Sequence, residues 1–415
     1  LLSVTNLCNS QLGDHGMQEN VLPVYQGPKA LLSALKSLHG EITTASQRME
    51  TAGEMDQIIF QKIVSTGLLR ALHPKNLGGA EYEAPDMLPL IEEIAKADGS
   101  TAWSFMVAAE VPALFQRLPD QVLKQVFSSD CDVLARAPLT PKPGTKAVDG
   151  GFLVNGTWPL ASGSYKADWF IVSALVFRDD LEKTAKASGA PELRLLLIPG
   201  DQVELQDNWK SIGLRSTESN DVKIENIFVP EEHSAIFSAN SPHAYELDIP
   251  EIRKISFYST MGPLHLGVIL GITRAMLDEL VEHAQTKRPF LNPSIILRDD
   301  PNFQQKIGSM EIRLSAARAF AISASHEIWK LGGTASPLQR TKYRAATAYV
   351  HDECSKIGTE VFRLGGTTVL YNDSFLQRRF RDLTTACQHI MGNPDIGGSY
   401  GALTLGADLA GADGL

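Results

Sequence analysis

From about Leu31 to Phe127 the apolar residues recur every three or four positions, as in Leu31, Leu35, Leu38 and Ile42, then Ile59, Ile63 and Leu68. That spacing lines them up on one helical face and predicts helices, interrupted by the loop His73-Pro74-Lys75-Asn76-Leu77-Gly78-Gly79. Between about Ala135 and Val229 the period changes. Gly151 to Gly156 reads as a hairpin, Trp169 to Val176 and Arg194 to Ile198 as buried strands, and Val222 to Val229 as an edge strand closed by Pro230. After a linker, Ser238 to Pro250, three long helical stripes follow. The first is Ile269, Ile272, Met276 and Leu280, the second runs from Ile307 through Leu314 and Ile328 to Leu331, and the third from Tyr343 through Val350 and Ile357 to Leu364. Gly332-Gly333 and Gly365-Gly366 stand where helices should be capped. A shorter fourth helix is expected around Phe375 to Ile390, which makes a four-helix bundle the simplest arrangement of the last third. The predicted class is α+β: a helical domain over 21–130, a β domain over 131–238 and a bundle over 250–410.

Composition narrows the function. The chain has 415 residues, 43% of them apolar and 21% charged, so it can bury a large core without disulfides or a structural metal. The balance of 38 basic and 48 acidic residues gives a net charge of −10, which disfavours nucleic acid and anionic membrane surfaces as partners. No apolar run approaches the ~20 residues that span a bilayer. Cys8, Cys131, Cys354 and Cys387 form no CxxC pair, so no metal site is expected and thiols in a reducing cytoplasm are the better reading. Leu1 to Asn20 lacks the basic-then-apolar layout of a signal peptide and reads as a poorly ordered leader.

No Walker A loop, GxGxxG turn, HExxH or GxSxG is present, which disfavours nicotinamide dehydrogenases, kinases, zinc hydrolases and elbow-type serine hydrolases. Three segments carry chemistry instead. Asn155-Gly156-Thr157-Trp158-Pro159-Leu160-Ala161-Ser162-Gly163-Ser164-Tyr165 offers an aromatic ring and hydroxyls that suit the edge of a flat heterocycle; its plainer reading is a turn with Trp158 in the core. Trp209 to Asn220 offers a similar mixture, or simply a polar loop. Asp373 to His389 concentrates Arg378, Arg379 and Arg381 with Asp382 and His389. Helical spacing pairs Arg378 with Asp382 and puts Thr385 and His389 on one face, although a basic stretch and a single His are often structural.

In order and spacing these segments resemble the acyl-CoA dehydrogenase fold family, and within it the flavin-dependent two-component monooxygenases. The matching pieces are Asp98-Gly-Ser-Thr-Ala-Trp103, Gly151 to Trp158 with Ser162-Gly163, Trp209 to Thr217, Leu364-Gly-Gly366, and Leu376 to Asp382 followed by Gln388-His389. The resemblance implies an N-terminal helical domain, a central β-barrel and a C-terminal four-helix bundle, usually in a homotetramer, with flavin between barrel and bundle. It places Trp158 and Ser162 beside the flavin ring, Pro138 and Thr140 along its pyrimidine side, and Arg288 at its phosphate. The Gly365-Gly366 pair belongs to the same cofactor-binding pattern.

Two chemistries are open within that fold. A dehydrogenase or oxidase with tightly held FAD would use a carboxylate as base, and counting back eight residues from Arg381 reaches Asp373. The monooxygenase branch shows the Gln-Arg-x-x-Arg-Asp run and the Gln-His pair, as Gln377 to Asp382 and Gln388-His389 do. That pattern fits better. It implies reduced FMN or FAD delivered by a separate NAD(P)H:flavin reductase, and a C4a-hydroperoxyflavin that oxygenates an aromatic or heteroatom-bearing small molecule. Ser162 would act near N5 and His389 as acid/base or peroxide-orienting group. Aromatic hydroxylases of this branch carry a second His about two turns after the Trp of the first domain. Here that place holds Glu110, which is open to a role as base, as holder of a substrate amine, or as a solvent-facing residue.

Overall fold

The computed structural model describes residues 27–127, 132–177, 192–237, 255–289 and 292–409. The expected leader, Cys8, Cys131 and the linker 238–250 lie outside them. Helix α1 (Pro28–Ala52) buries Leu31, Leu35, Ile42, Ala45 and Met49 along one stripe and stops at Gly53, whose left-handed backbone (φ 78°) lets its N–H reach Met49 O. Helices α2 (Gln57–Val64), α3 (Ala84–Ala97), α4 (Gly99–Leu114) and α5 (Asp120–Val126) complete the first region. Every residue of α4 is buried, as expected of a helix apolar on all sides.

Eight strands follow: β1 (Ala135–Arg136), β2 (Lys142–Val148), β3 (Gly151–Ala161), β4 (Trp169–Phe177), β5 (Glu192–Pro199), β6 (Glu204–Gln206), β7 (Asn220–Pro230) and β8 (Ser234–Ile236). They form one sheet in the order β6-β7-β3-β2-β4-β5-β8, with β1 parallel to β4. The expected closed barrel is not formed. The outermost strands β6 and β8 are three residues each, and each pairs on one side only. Within this region Phe152, Val154, Trp158, Phe170, Val172, Leu196 and Ile198 make a core of their own, while Ile171, Leu195 and Leu197 face the helices. Strands β4 and β5 are thus buried on both faces, which is why their sequences are continuous apolar runs.

The last third holds three long helices, α6 (Phe257–Ala284), α7 (Pro301–Leu331) and α8 (Pro337–Gly365), then α9 (Phe375–Ala386) and α10 (Ile396–Thr404). Gly332 and Gly366 cap α7 and α8 with positive φ (52° and 68°), as the sequence suggested. Five helices are described where a four-helix bundle was expected, and α6 packs as closely against α3 as against its own neighbours. A Cβ on Gly267 would lie 2.6 Å from Leu88 O, and one on Gly271 2.4 Å from Glu92 O, so only glycine allows the two backbones to approach this far. N-terminal and C-terminal helices therefore share one continuous core.

Candidate active site

Strand β3 delivers Ser162 at its end, and the turn beyond is fixed by Gly163, whose N–H donates to Thr217 O at 2.8 Å. Its φ of 132° is closed to most side chains, and a Cβ there would meet the Tyr165 ring at 2.7 Å. Three of the five described non-glycine residues with positive φ, Leu160, Leu214 and Glu218, lie in this turn and in the facing loop between β6 and β7. Backbone strain of this kind concentrates at working sites. Ser162 Oγ accepts from Trp103 Nε1 at 3.2 Å and lies 2.7 Å from Ser219 Oγ, which in turn is 2.7 Å from Thr217 Oγ1.

Trp103, from α4, joins the hydroxyls to a histidine cluster. Its ring makes edge contacts with His265 of α6 at 5.5 Å and with His389 at 5.6 Å, and the two imidazoles stack face to face at 4.3 Å. His389 is not helical. Helix α9 ends at Ala386, and His389 caps the short turn Ile390–Gly392, its Nδ1 accepting from Met391 N at 3.4 Å. The expected shared face with Thr385 is replaced by this turn; the chain leaves the helix before reaching His389, and the Thr385 hydroxyl donates to Arg381 O. Burial, and then the neighbouring His265 and His351, hold His389 well below the usual histidine range.

Glu110 stands two turns after Trp103 on α4, buried, with Oε1 3.4 Å from His265 Nε2. It faces no solvent. Burial pushes its carboxyl well above the usual range and lowers His265 to about 3, so burial favours the uncharged form of both. Glu110 Oε2, His265 Nδ1 and His351 Nε2 are buried without a protein partner among the described residues. Buried polar atoms in native proteins are nearly always satisfied, so three in one cluster mark a place where a small molecule or solvent completes the bonding. His265 and His351 were not singled out from the sequence; the signal available was a histidine inside the apolar Met261 to Leu270 run of a buried helix.

The arginines of α9 are structural. Arg378 donates to Ser46 Oγ at 2.9 Å and lies 4.0 Å from Asp98; Arg379 donates to Lys96 O at 2.9 Å; Arg381 donates to Glu50 Oε1 at 2.8 Å and to Ile212 O. Asp382 does not form the expected pair with Arg378. Its Oδ1 accepts from Leu214 N at 2.6 Å, tying α9 to the loop that carries Thr217 and Ser219, and burial with the nearby Asp98 raises its carboxyl to about 7.

Other expected site residues lie apart from this constellation or inside the core. Trp158 is fully enclosed, its Nε1 donating to Ser173 O at 2.8 Å, which matches the plainer reading of its hairpin. Pro138 is buried and Thr140 exposed in the segment between β1 and β2. Arg288 is exposed after α6 with Nη1 bonded to Pro293 O at 2.9 Å, and Gly365-Gly366 form the end of α8. Asp373 is exposed in the turn before α9.

The family profiles described as acyl-CoA dehydrogenase, N-terminal domain and acyl-CoA dehydrogenase, C-terminal domain match residues 33–125 and 264–394. The chain is 30% identical over 331 residues to an indole-3-acetate monooxygenase of Pseudomonas putida, covering 78% of this chain and 80% of that protein. It is 26% identical to the flavin-dependent monooxygenase oxygenase subunit HsaA of Rhodococcus jostii, covering 88% and 95%. The structure of XiaF from a Streptomyces species, in complex with FADH2 and glycerol, superposes with a TM-score of 0.83 at 21% identity over 92% of this chain and 96% of that one. The chain belongs to the acyl-CoA dehydrogenase family. Within that family it is the oxygenase component of a flavin-dependent monooxygenase, and the dehydrogenase alternative with Asp373 as base is set aside.

Proposed function

We propose that this oxygenase component binds reduced FMN or FAD against Ser162, Trp103 and His389 and oxygenates an aromatic small molecule. The observation that carries the reading is the unbroken line of contacts from Ser162 Oγ through the Trp103 indole to the stacked His389 and His265 rings. A flat heterocycle fits this donor set: a half-buried hydroxyl meets its edge, and unpartnered buried nitrogens stand nearby. Reduced flavin supplies the electrons that activate dioxygen. The protein keeps water out with the wholly buried α4, offers the Ser162 hydroxyl to the ring edge, and holds at His389 a neutral imidazole. Because Nδ1 of His389 accepts from Met391 N, its proton sits on Nε2 and is available to orient or protonate an oxygen.

At the other end, Arg288 uses one guanidinium N–H for Pro293 O, which leaves donors for a phosphate, with Pro138, Thr140 and the Gly365-Gly366 turn as further flavin contacts. Trp158 supports this surface from inside the sheet. The relative named for indole-3-acetate supports an aromatic substrate, and the oxygenase-subunit name of another supports a separate NAD(P)H:flavin reductase. A cytoplasmic homotetramer is the proposed assembly, built from units at 21–130, 131–238 and 250–410. Ile312 on α7 (72% exposed), with Phe320 and Tyr349 in edge contact at 5.9 Å, supplies an apolar outer face for it.

His389→Asn should leave flavin affinity and melting temperature nearly unchanged while lowering product formation by roughly 10²–10⁴ fold and releasing hydrogen peroxide instead. Full activity with intact coupling in that variant would overturn the role.

A further inference from the structure

Resting on the reading that Ser162 meets the flavin, hydroxyl bookkeeping around it assigns work to two residues behind it. A serine hydroxyl has one proton and two lone pairs. Trp103 Nε1 is only ever a donor, so it occupies one lone pair of Ser162. The contact between Ser162 and Ser219 then runs in one of two senses. If Ser162 gives its proton to Ser219, none is left for a ligand. If Ser219 gives its proton to Ser162, both lone pairs of Ser162 are filled and its own O–H must point out of the chain, toward its half-exposed side.

The second sense requires Ser219 to accept from Thr217, because Ser219 has spent its only proton. Thr217 Oγ1 must then turn away from Leu214 O, to which it otherwise donates at 2.9 Å. That release leaves no orphan: Leu214 O still accepts from Trp209 Nε1 at 2.9 Å and from Thr217 N at 3.2 Å. Ser219 and Thr217 are both buried, so solvent does not compete within the chain. Without a ligand the inward sense makes one more hydrogen bond, and an acceptor placed at Ser162 restores the count.

We propose that Thr217 and Ser219 are positioning residues forming a reversible hydroxyl relay, which turns over when oxidised flavin presents its N5 acceptor and aims the Ser162 proton at it, and which relaxes to the inward sense when N5 carries a hydrogen in the reduced flavin. Two neighbouring buried hydroxyls then have opposite importance. Thr217→Val removes the acceptor that holds the inward sense, so the proton of Ser219 goes to Ser162 and the outward sense becomes permanent. Ser219→Ala removes the donor that fills Ser162 and leaves its hydroxyl unaimed. A purely structural role predicts that both losses weaken the site alike.

The test is the affinity of the full-length protein for oxidised FMN, and in parallel FAD, by fluorescence titration, each set against its 5-deaza analogue, in which a C–H replaces the N5 acceptor. Ser219→Ala should bind the natural flavins roughly five- to tenfold more weakly than wild type, Thr217→Val as tightly or more so, and Ser219→Thr should recover wild-type affinity. With the 5-deaza flavins these differences should vanish. Equal weakening by Ser219→Ala and Thr217→Val, or the same pattern with 5-deaza flavins, would overturn the relay. Ser162→Ala separates the two levels: if the substitution weakens natural and 5-deaza flavins by the same factor relative to wild type, the contact between Ser162 and flavin itself is wrong. If it weakens only the natural flavins while the two relay variants behave alike, only the relay is.

Discussion

Trp158 and Ser162 are four residues apart on one strand and its turn, yet their surroundings differ completely. The indole of Trp158 is sealed between β3, β4 and β7 and satisfied by Ser173 O, whereas Ser162 remains half-exposed beside Trp103. Trp158→Ala should therefore cost about 3–5 kcal/mol of stability through the cavity it leaves, while Trp158→Phe should keep flavin affinity within about twofold. Chemical denaturation and flavin titration on the same samples check this; a specific loss of flavin binding in a stably folded Phe variant would return Trp158 to the cofactor. At this scale the sequence picked out Ser162 and His389 through their motifs, and the structure brings both against Trp103. His265 was not picked out, because nothing local separates a histidine that stacks on another from one that merely fills space. Only a fold joining positions 103, 265 and 389 brings the rings together.

Helix periodicity was readable because a helix decides its buried stripe locally, and the three long C-terminal helices occur where their stripes lie. Pairing across elements was less so. Within α9, spacing suggested that Asp382 would meet Arg378, but a fully buried carboxylate answers to whatever lies across the interface, here the amide of Leu214. The end of α9 was also overestimated, since Gln388 and His389 are acceptable helix residues and only the turn over Met391 ends the run. The raised carboxyl of Asp382 has a measurable sign. Its folded value of about 7 exceeds the 3.8 of an ordinary aspartate, so the native state holds the extra proton between them, and the stability it contributes is lost as pH rises through about 7. Asp382→Asn keeps an acceptor for Leu214 and removes this titration. Its melting temperature relative to wild type should rise between pH 5 and pH 8; a constant difference would mean Asp382 is ionised throughout.

For the whole molecule the buried histidines dominate acid behaviour. His73, His265 and His351 are held near 3, 3 and 4 by burial, and His389 is also lowered, against the 6.5 of an ordinary histidine. The unfolded chain therefore takes up more protons below pH 6.5, and this part of the stability is progressively lost as pH falls toward 4. Glu110, Asp168, Glu279 and Asp382, all raised by burial, act in the opposite direction, but with His233 and His283 the lowered histidines number six among the described residues against these four acids. Calorimetry from pH 7 to pH 4.5 should show a falling melting temperature, and the histidine explanation requires that the slope shrink in His73→Phe.

Helix α9 also bears on the order in which the molecule is made. Its bonds to Ser46, Glu50, Lys96 and Leu214 close chain separations of 332, 331, 283 and 168 residues. Contacts of that span are slow to form, because a long loop must be closed before any of them rewards the chain. The stripes of α1 and the long helices can form from near neighbours, but the loop bearing Thr217 and Ser219 is locked only after the penultimate helix has been synthesised and returned to the first. During synthesis the loop behind Ser162 is therefore among the last parts completed, and a nascent chain that has not yet made α9 carries the buried hydroxyls of Thr217 and Ser219 on a loop without its bond to Asp382.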